Sequence, residues 1–517
     1  MLHKEQNENL SRRRFLKIMA AGAAGAVIVS CTTPGATDEG EEGGSASTDT
    51  IRVAWGGAPS VLDPSQASAD VEIAFLNAIY DYLIDTDADN TLVPRLATDW
   101  EVNEEGTVYT LTIAEGVTFH NGDPLTLDDV MWTLERLGSD ESSAADLFGI
   151  IETMEADGNT LTITLSEPDA DFLYTLADNR ALILQANAED IGNSFNGTGP
   201  FRLVEYITED RAILEANPDY FAGAPTVGGL EFIYFPDTEA AVNALRSGTV
   251  DSVLRLDNPT FLGLSEEDLY QAVDVATNGH DLVRLRADRE PGSDPNVRLA
   301  FKHATDRQAV FERVQLGFGA LGRDNPIGPL YSRYYTEAFA LPEHNPEMAR
   351  QLLADAGYPD GLEMTLFVPN APGRPELAQV LASQWAEAGI NVTIEVQEES
   401  VYYGDDGWLE VDLGITPWGS RPIPQFYLDV AYKSGAMWNE AHFSDEELDA
   451  LIEEAGATTD EAERVGLYEE IQRILIERGP VIIPYFFASF GVFAENVSGV
   501  AVHPFPGRTN FNNAVLA

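Results

Sequence analysis

An α/β protein of two large lobes is what this sequence predicts, and three observations carry the prediction. The first is a helix–glycine–strand grammar. Leu377, Leu381 and Trp385 stripe one helix face, Gly389 ends the helix, and Ile390, Val392, Ile394 and Val396 then alternate as a strand. The second is recurrence of that grammar. A helix over 238–246 ends at Gly248, a suitable C′ residue, before a strand resumes at Val250 and Asp251, and Asn345 with Pro346 starts a helix that Gly357 closes. The third is length. The 517 residues would allow three or four domains at roughly 150 residues each, yet helices alternating with strands throughout favour strands covered by helices in two larger bodies.

The elements follow in chain order. Trp100 and Val102 lie across a Glu105-Gly106 turn from Tyr109, Leu111 and Ile113, a hairpin with one buried face. Phe119 ends a third short strand before Asn121-Gly122. Thr126 stands three residues before Asp129, a capping-box spacing, and Val130, Leu134 and Leu137 mark the helix stripe that it opens. A second hairpin turns at Asp157-Gly158 with Leu161, Ile163 and Leu165 on one face. Gly199-Pro200-Phe201 begins a strand pair running through Leu203 and past Ile213 and Leu214. In 294–307, Val297, Ala300, Phe301 and Ala304 share a helix face, and Asp306 caps the helix that follows. Ser444 and Glu447 form another capping box ahead of helices reaching Arg478. Val481 to Phe487 reads as a buried strand, and the last thirty or so residues as further strand material.

Residues 1–30 and 31–50 stand apart. Ser11-Arg12-Arg13-Arg14-Phe15-Leu16-Lys17 resembles a twin-arginine export signal. The apolar stretch from Ile18 to Val29 is shorter than the roughly 20 residues a spanning helix needs, which makes it a signal segment. It stops at Ile28-Val29-Ser30-Cys31, which resembles a lipobox with Val at a position where a small residue is more usual. Cys31 is the sole cysteine, so no intrachain disulfide can form. Lipidation of Cys31 after cleavage is expected; an ordinary cleavage site beside a chance cysteine is the alternative. From Thr32 to Thr50 the chain is Gly, Ser, Thr and acid, a composition that cannot offset chain entropy by burial and reads as a tether.

Charge is the second unusual property. Lys and Arg number 30 against 86 Asp and Glu, a formal charge of −56. The export segment holds five of those cations, and only Lys302 and Lys433 remain as lysines beyond it. Such a surface excludes nucleic acid and anionic lipid as partners, since both would be repelled. Self-repulsion on this scale becomes tolerable where the Debye length shrinks to about 3 Å, near 1 M salt. The composition therefore fits an extracellular protein adapted to high salinity, with an ordinary acidic secreted protein as the alternative.

Particular wording adds a family. Residues 93–130 read VPRLATDWEVNEEGTVYTLTIAEGVTFHNGDPLTLDDV; TGPFRLVEY and ILEANPDYFAGAP follow, with Phe221 where Trp is more frequent; DPNVRLAFKHATDR spans 294–307. Together these resemble the extracellular solute-binding proteins of family 5, the oligopeptide, dipeptide and nickel receptors of ABC importers. The opening APSVLDP resembles that family's start, with Leu62 and Asp63 in structural roles. The resemblance implies a two-lobed fold of the periplasmic-binding-protein type II kind, with an extra subdomain in the first lobe (cluster C). It implies a first lobe of residues 51–285 plus 488–517 and a second of 286–487, so that the chain crosses twice and the crossings form a hinge. A peptide or other small solute is then held between the lobes, and permease subunits in the membrane read the closed form. The solute must contact the closed state better than the open one, because equal affinity shifts nothing. A monomer on the extracytoplasmic face, held by a lipid anchor and using no cofactor or metal, completes the implied picture.

A secreted hydrolase is the alternative from another class. The sequence has no HExxH and no GxSxG, and its seven histidines lack metal-ligand spacing. His120 and His280 fall in turn contexts, Cys31 sits at the processing site, and Asp405-Asp406 is a pair expected by chance among so many acids. A solute sensor without a transporter is the third reading.

Ligand contacts are sought in the window from Tyr402 to Asn439, rich in Tyr, Trp, Gly and Pro and poor in periodicity, which suits a pocket-lining loop. Trp418-Gly419-Ser420-Arg421-Pro422 and Met437-Trp438-Asn439 resemble the family's elements near the cleft, so Tyr402, Tyr403, Trp418, Arg421, Trp438 and Asn439 are the candidates; core packing is the alternative for both tryptophans. The family's peptide receptors usually carry an Asp in this neighbourhood that accepts the peptide's α-amino group. Here Arg421 stands there, and no acid follows until Asp429. A guanidinium fork suits a carboxylate or phosphate; an ion pair with a rim acid is the equally open alternative. Acid crowding itself makes a prediction. Melting temperature should rise from about 0.1 M to about 1 M chloride, as the Debye length falls from about 10 to about 3 Å, and coincident melting curves would remove the salinity argument.

Overall fold

The computed structural model describes residues 49–404 and 407–517. The export signal, Cys31, the tether up to residue 48 and the Asp405-Asp406 pair lie outside the described residues. Strand β1 (Thr50–Gly56) belongs to the main sheet, whereas β2 (Ala97–Val102), β3 (Val108–Ile113), β4 (Ile151–Asp157) and β5 (Thr160–Leu165) form a separate sheet in the order β2-β3-β5-β4. Both expected hairpins are present, turning at Gly106 and Gly158, which hold φ of 67° and 63°. Backbones with positive φ favour glycine because it lacks a Cβ. The hairpins join through Thr110 opposite Thr162, a pairing that neither shows alone. Between them lies α1 (Leu127–Leu137), where Thr126 N and Oγ1 both donate to Asp129 Oδ2 at 2.7 Å. The third strand expected at Phe119 is only an isolated bridge between Thr118 and Pro124. There the backbone is spent on the Phe119–Gly122 turn and on His120 N donating to Gly197 O.

β6 (Phe201–Ile207), β7 (Arg211–Ala216), β8 (Gly229–Phe235), α2 (Thr238–Arg246), β9 (Ser252–Leu254) and β10 (Tyr270–Leu285) follow. β9 starts two residues after the expected Val250. Asp251 is held instead by Arg52, whose main-chain N and Nε donate to Asp251 Oδ2 at 2.9 and 2.8 Å. Then come α3 (Pro295–Ala304), α4 (Pro346–Asp355), β11 (Leu362–Pro369), α5 (Arg374–Glu387), β12 (Ile390–Gln397), β13 (Leu413–Trp418), α6 (Glu446–Ala457), α7 (Glu461–Arg478) and β14 (Tyr485–Ala494). Asn345 caps α4 and Asp306 caps the helix after α3, the latter by accepting from Ala309 N, both as expected; Asp294 caps α3 as well.

One twelve-stranded sheet runs in the order β12-β11-β13-β10-β14-β9-β1-β8-β7-β6, with two short strands beside this path. β10 and β14 lie at its centre, antiparallel to each other. Buried side chains divide at these two strands. On one side Ile51, Phe75, Leu111, Ile163, Phe201 and Leu230 pack together, and Ala54, Val253, Phe261 and Phe490 form a neighbouring cluster. On the other, Val297, Phe301, Leu377, Leu381 and Trp385 form one core, adjoined by Trp418, Tyr427, Ile452 and Ile474 in another. The architecture is a two-lobed α/β fold, and the four-stranded sheet is the extra subdomain of the first lobe.

Three C-terminal expectations need correction. Asp445, not Ser444, caps α6: its Oδ1 accepts from Glu447 N and Leu448 N, and its other oxygen lies 2.6 Å from Arg478 Nε. A carboxylate serves both partners at once, while Ser444 bonds to Ser434. Val481–Phe487 is not one strand. Pro484 has no N–H to give, Ile483 N turns to Asp324, and β14 begins afresh at Tyr485. Beyond Ala494 only Val497–Ser498 and Val515–Leu516 pair as strands; Pro504 and Pro506 interrupt the rest.

Trp385 tests the second lobe's core. It is fully buried, meets Phe301 edge-on at 4.9 Å, and donates from Nε1 to Thr305 Oγ1 at 2.8 Å. Trp385→Ala should destabilise by about 3–5 kcal/mol through lost burial and a residual cavity. Equilibrium unfolding checks this, and a loss under about 1 kcal/mol would contradict the packing.

Candidate functional site

β10 is irregular midway along. Ala276 faces Ala488 and His280 faces Phe486 on β14, so Thr277, Asn278 and Gly279 stand opposite Phe487 alone. Extra residues of this kind bend a strand and redirect its side chains. Gly279 is needed because a Cβ there would come within 3.2 Å of Ser420 N and Trp418 O. Asn278 has 0% exposure. Its N donates to Ser420 Oγ at 3.1 Å, its Nδ2 donates to Arg421 O at 3.4 Å, and its carbonyl accepts from Tyr427 Oη at 2.9 Å. Tyr427 Oη also lies 2.7 Å from Gly419 O, and Tyr331 Oη donates to Arg421 O at 2.8 Å. The loop after β13 is thus clamped at three consecutive residues. Asn278 Oδ1 is buried without a partner.

His280 lies within β10, not in a turn, because the bulge absorbs the irregularity just before it. Its Nδ1 is 2.9 Å from Asn278 O, and burial pushes its pKa down to about 4. The ring is therefore neutral near pH 7 and donates from Nδ1. His120 does sit at a turn, where Nε2 bonds to Gly199 O at 2.9 Å and burial holds its pKa below the usual value.

Trp418 ends β13 with 6% exposure, and its Nε1 donates to Glu440 Oε1 at 3.0 Å. Glu440 Oε2 accepts from Thr416 Oγ1 at 2.6 Å and lies 2.9 Å from Arg284 Nε, with both charged side chains buried. Burial raises the Glu440 pKa, and the Arg284 charge opposes that shift. Trp438 is 36% exposed and meets Trp418 edge-on at 6.0 Å. Tyr403 is half exposed to solvent and packs edge-on against Tyr402. The sequence-based candidates Tyr402 and Asn439 are corrected. Tyr402 is fully buried with its hydroxyl donating to Ile415 O at 2.7 Å. Asn439 is buried too, with Nδ2 spent on Lys433 O and Phe443 O. Both brace backbone and leave no polar atom for a solute.

The structure thus joins Trp418, Arg421 and Trp438 around one loop and adds Asn278, Ser420, Tyr427, Tyr331 and Glu440 to it. Outside the 402–439 window, Asn278-Gly279 carried a signal, since a turn dipeptide inside a strand marks a bulge.

Residues of the first lobe meet the second beside this loop. Asn90 Nδ2 donates to Pro422 O, and Tyr174 Oη donates to Asn90 O at 3.3 Å. Asn90, Tyr174, Tyr331, Tyr334 and Pro422 enclose a cavity of about 30 Å³, room for a water or two. Farther along, Arg464 grips the Asp171 carboxylate through both Nη atoms, with both residues buried. Arg464 Nη2 also donates to Tyr468 Oη at 3.1 Å, and Tyr468 Oη donates to Gln425 Oε1 at 3.1 Å. A polar path therefore runs from the first lobe to the segment just after Arg421. Ala170 N and Thr459 Oγ1 add bonds to Gly456 O and Glu104 O. Burial pushes the Asp169 carboxyl up to about 7, with the Asp171 charge adding to the shift.

Known proteins share this architecture. The family described as bacterial extracellular solute-binding proteins, family 5 middle, matches residues 91–439. A probable di/tripeptide-binding protein 5 of Pseudomonas aeruginosa is 30% identical, with 88% of this chain and 92% of that protein covered. Heme-binding protein A of Haemophilus influenzae is 27% identical over 83% of this chain and 85% of its own. Among solved structures, HbpA2 from Haemophilus parasuis superposes with a TM-score of 0.80 at 24% identity, covering 91% of this chain and all of that one. The chain belongs to the bacterial extracellular solute-binding proteins of family 5.

Proposed function

We propose that this protein is the lipid-anchored, extracytoplasmic receptor of an ABC importer, taking a peptide or peptide-like solute between its lobes and delivering it to a permease. The lobes of this reading are residues 51–285 with 488–517 and residues 286–487, hinged where the chain crosses between them. One observation carries it. The bulge at Thr277–Gly279 in a strand that packs against both cores is hydrogen-bonded to the candidate contact loop at Ser420 and Arg421, so strand and loop are tied together. A solute held by that loop then biases the angle between the lobes, which is what population shift requires. The relative named for di- and tripeptides supports a peptide, and the relative named for heme puts heme on the test panel. Membership in a family of binding proteins sets the hydrolase alternative aside. The export signal and Cys31 supply the address and anchor of this proposal.

Two outcomes are expected. Binding should be one-to-one and micromolar or tighter, equivalent to about 8 kcal/mol or more, and excess solute should raise the melting temperature because it binds the native state alone. A thermal-shift screen in molar salt of peptides, opine-like conjugates, oligosaccharides, nickel chelates and heme checks this. A flat response from every class would end the receptor reading.

Closure should also depend on pH. Asp169 lies beside Asp171, Arg464 and Asp429, and burial holds its carboxyl at about 7. Opening hydrates it and returns it toward the ordinary value of about 4. The closed state thus binds more protons across that interval, so closure is most favoured below about pH 4 and loses that advantage as pH rises through about 7. Without solute, the radius of gyration from small-angle scattering should grow between about pH 5.5 and about pH 8.5, and Asp169→Asn should flatten the change. A radius that ignores pH in the parent chain would refute this coupling.

A further inference from the structure

We propose that Arg421 is an anion-binding residue of the inter-lobe cleft, placed to receive a carboxylate or phosphate of the bound solute. This rests on the receptor reading above and names the chemical class of its ligand.

The guanidinium lacks a partner in a chain full of potential ones. Among the described residues every arginine except Arg313 and Arg421 has a side-chain hydrogen bond or ion pair. Arg313 is exposed on a helix, where water serves it, whereas Arg421 is half-buried. In a sequence holding 86 acids, a half-buried arginine that meets no acid among the described residues runs against the odds. Among the described residues, the rim ion pair that the sequence left open is not formed.

Its base is also held still. The Arg421 carbonyl accepts from Tyr331 Oη at 2.8 Å and Asn278 Nδ2 at 3.4 Å, and the preceding Ser420 Oγ and Gly419 O are bonded as well. The next residue, Pro422, accepts from Asn90 of the first lobe. Arg421 therefore projects from a fixed backbone at the junction of the lobes. Its positive charge opposes the upward shift that burial imposes on the Tyr331 and Tyr427 hydroxyls, so the charge lies close to both. A fork of N–H donors on a rigid base loses little freedom when an anion binds, and closure would strengthen the contact by excluding water. An ammonium-bearing or neutral end of a solute gains nothing there. A peptide would place its C-terminal carboxylate or an acidic side chain against Arg421.

The test uses three matched pairs of probes in molar salt, read by calorimetry: Ala-Ala and its C-terminal amide, glutarate and glutaramide, glycerol 3-phosphate and glycerol. At least one acid should bind, its neutral partner should bind about thirtyfold more weakly or not at all, and Arg421→Ala should erase the preference. Arg421→Lys should restore part of it, because an ammonium keeps the charge and loses the fork. Melting without probe shows that each variant is folded. Acid and neutral partners that bind alike, or an Arg421→Ala variant that keeps the preference, would overturn the proposal while leaving the receptor reading intact. Silence from all three acids would overturn it too, and the broader thermal-shift screen then decides the receptor reading separately.

Discussion

Asn278 sits at the break in the central strand pair beside the candidate contact loop, and its hydrogen bonds hold that loop in place. Three residues face one across β10 and β14, which breaks the ladder midway along β10. Main-chain groups freed by that break would be costly if left unpaired inside the protein. The Asn278 N–H and carbonyl are instead satisfied by Ser420 and Tyr427. A defect in the sheet thereby becomes the seat of a loop. The strand and the loop are thereby bonded at Ser420, Arg421 and Tyr427.

Charge is arranged in two regimes. The sequence carries a large excess of acids, while the interior uses arginine to tie separate segments together. Arg284 with Glu440, Arg307 with Asp324 and Arg464 with Asp171 are buried pairs of this kind. Desolvation offsets much of the attraction in such pairs, so their main contribution is geometric. Arg284 and Glu440 orient the Trp418 indole from below. Arg464 and Asp171 join the lobes and continue through Tyr468 to Gln425. Arg421 stands outside this arrangement, a cation without an acidic partner among the described residues.

Several polar groups are buried by tertiary contacts that reach across the chain. Asp81 accepts from Tyr220 Oη at 2.8 Å and Thr198 Oγ1 at 2.9 Å, and burial raises its pKa. Lys302, one of the two lysines beyond the export segment, is buried at the end of α7 and donates to Leu475 O and Ile476 O at 2.7 and 2.9 Å. Burial lowers its pKa to about 8. A cation suits that place because the last carbonyls of a helix carry partial negative charge.

What the sequence determined by itself was local. The hairpins at Gly106 and Gly158, the α1 capping box, and the helices started by Asp306 and Asn345 were legible because caps, turns and periodic stripes act over a few residues. The helix–glycine–strand grammar extended this to two lobes, and the family wording to a contact window around Trp418. The tertiary structure decided the rest. Whether Tyr402 and Asn439 face a solute or brace backbone depends on partners at Ile415, Lys433 and Phe443 that their own identities do not name. Asp445 displaced Ser444 as a cap because Arg478 stands across from it. The edge-to-edge union of the two hairpins, the bulge at Asn278 and the Asp171–Arg464 contact join residues far apart in sequence. Such pairings are set by which surfaces meet when the chain closes, and composition and periodicity do not record that.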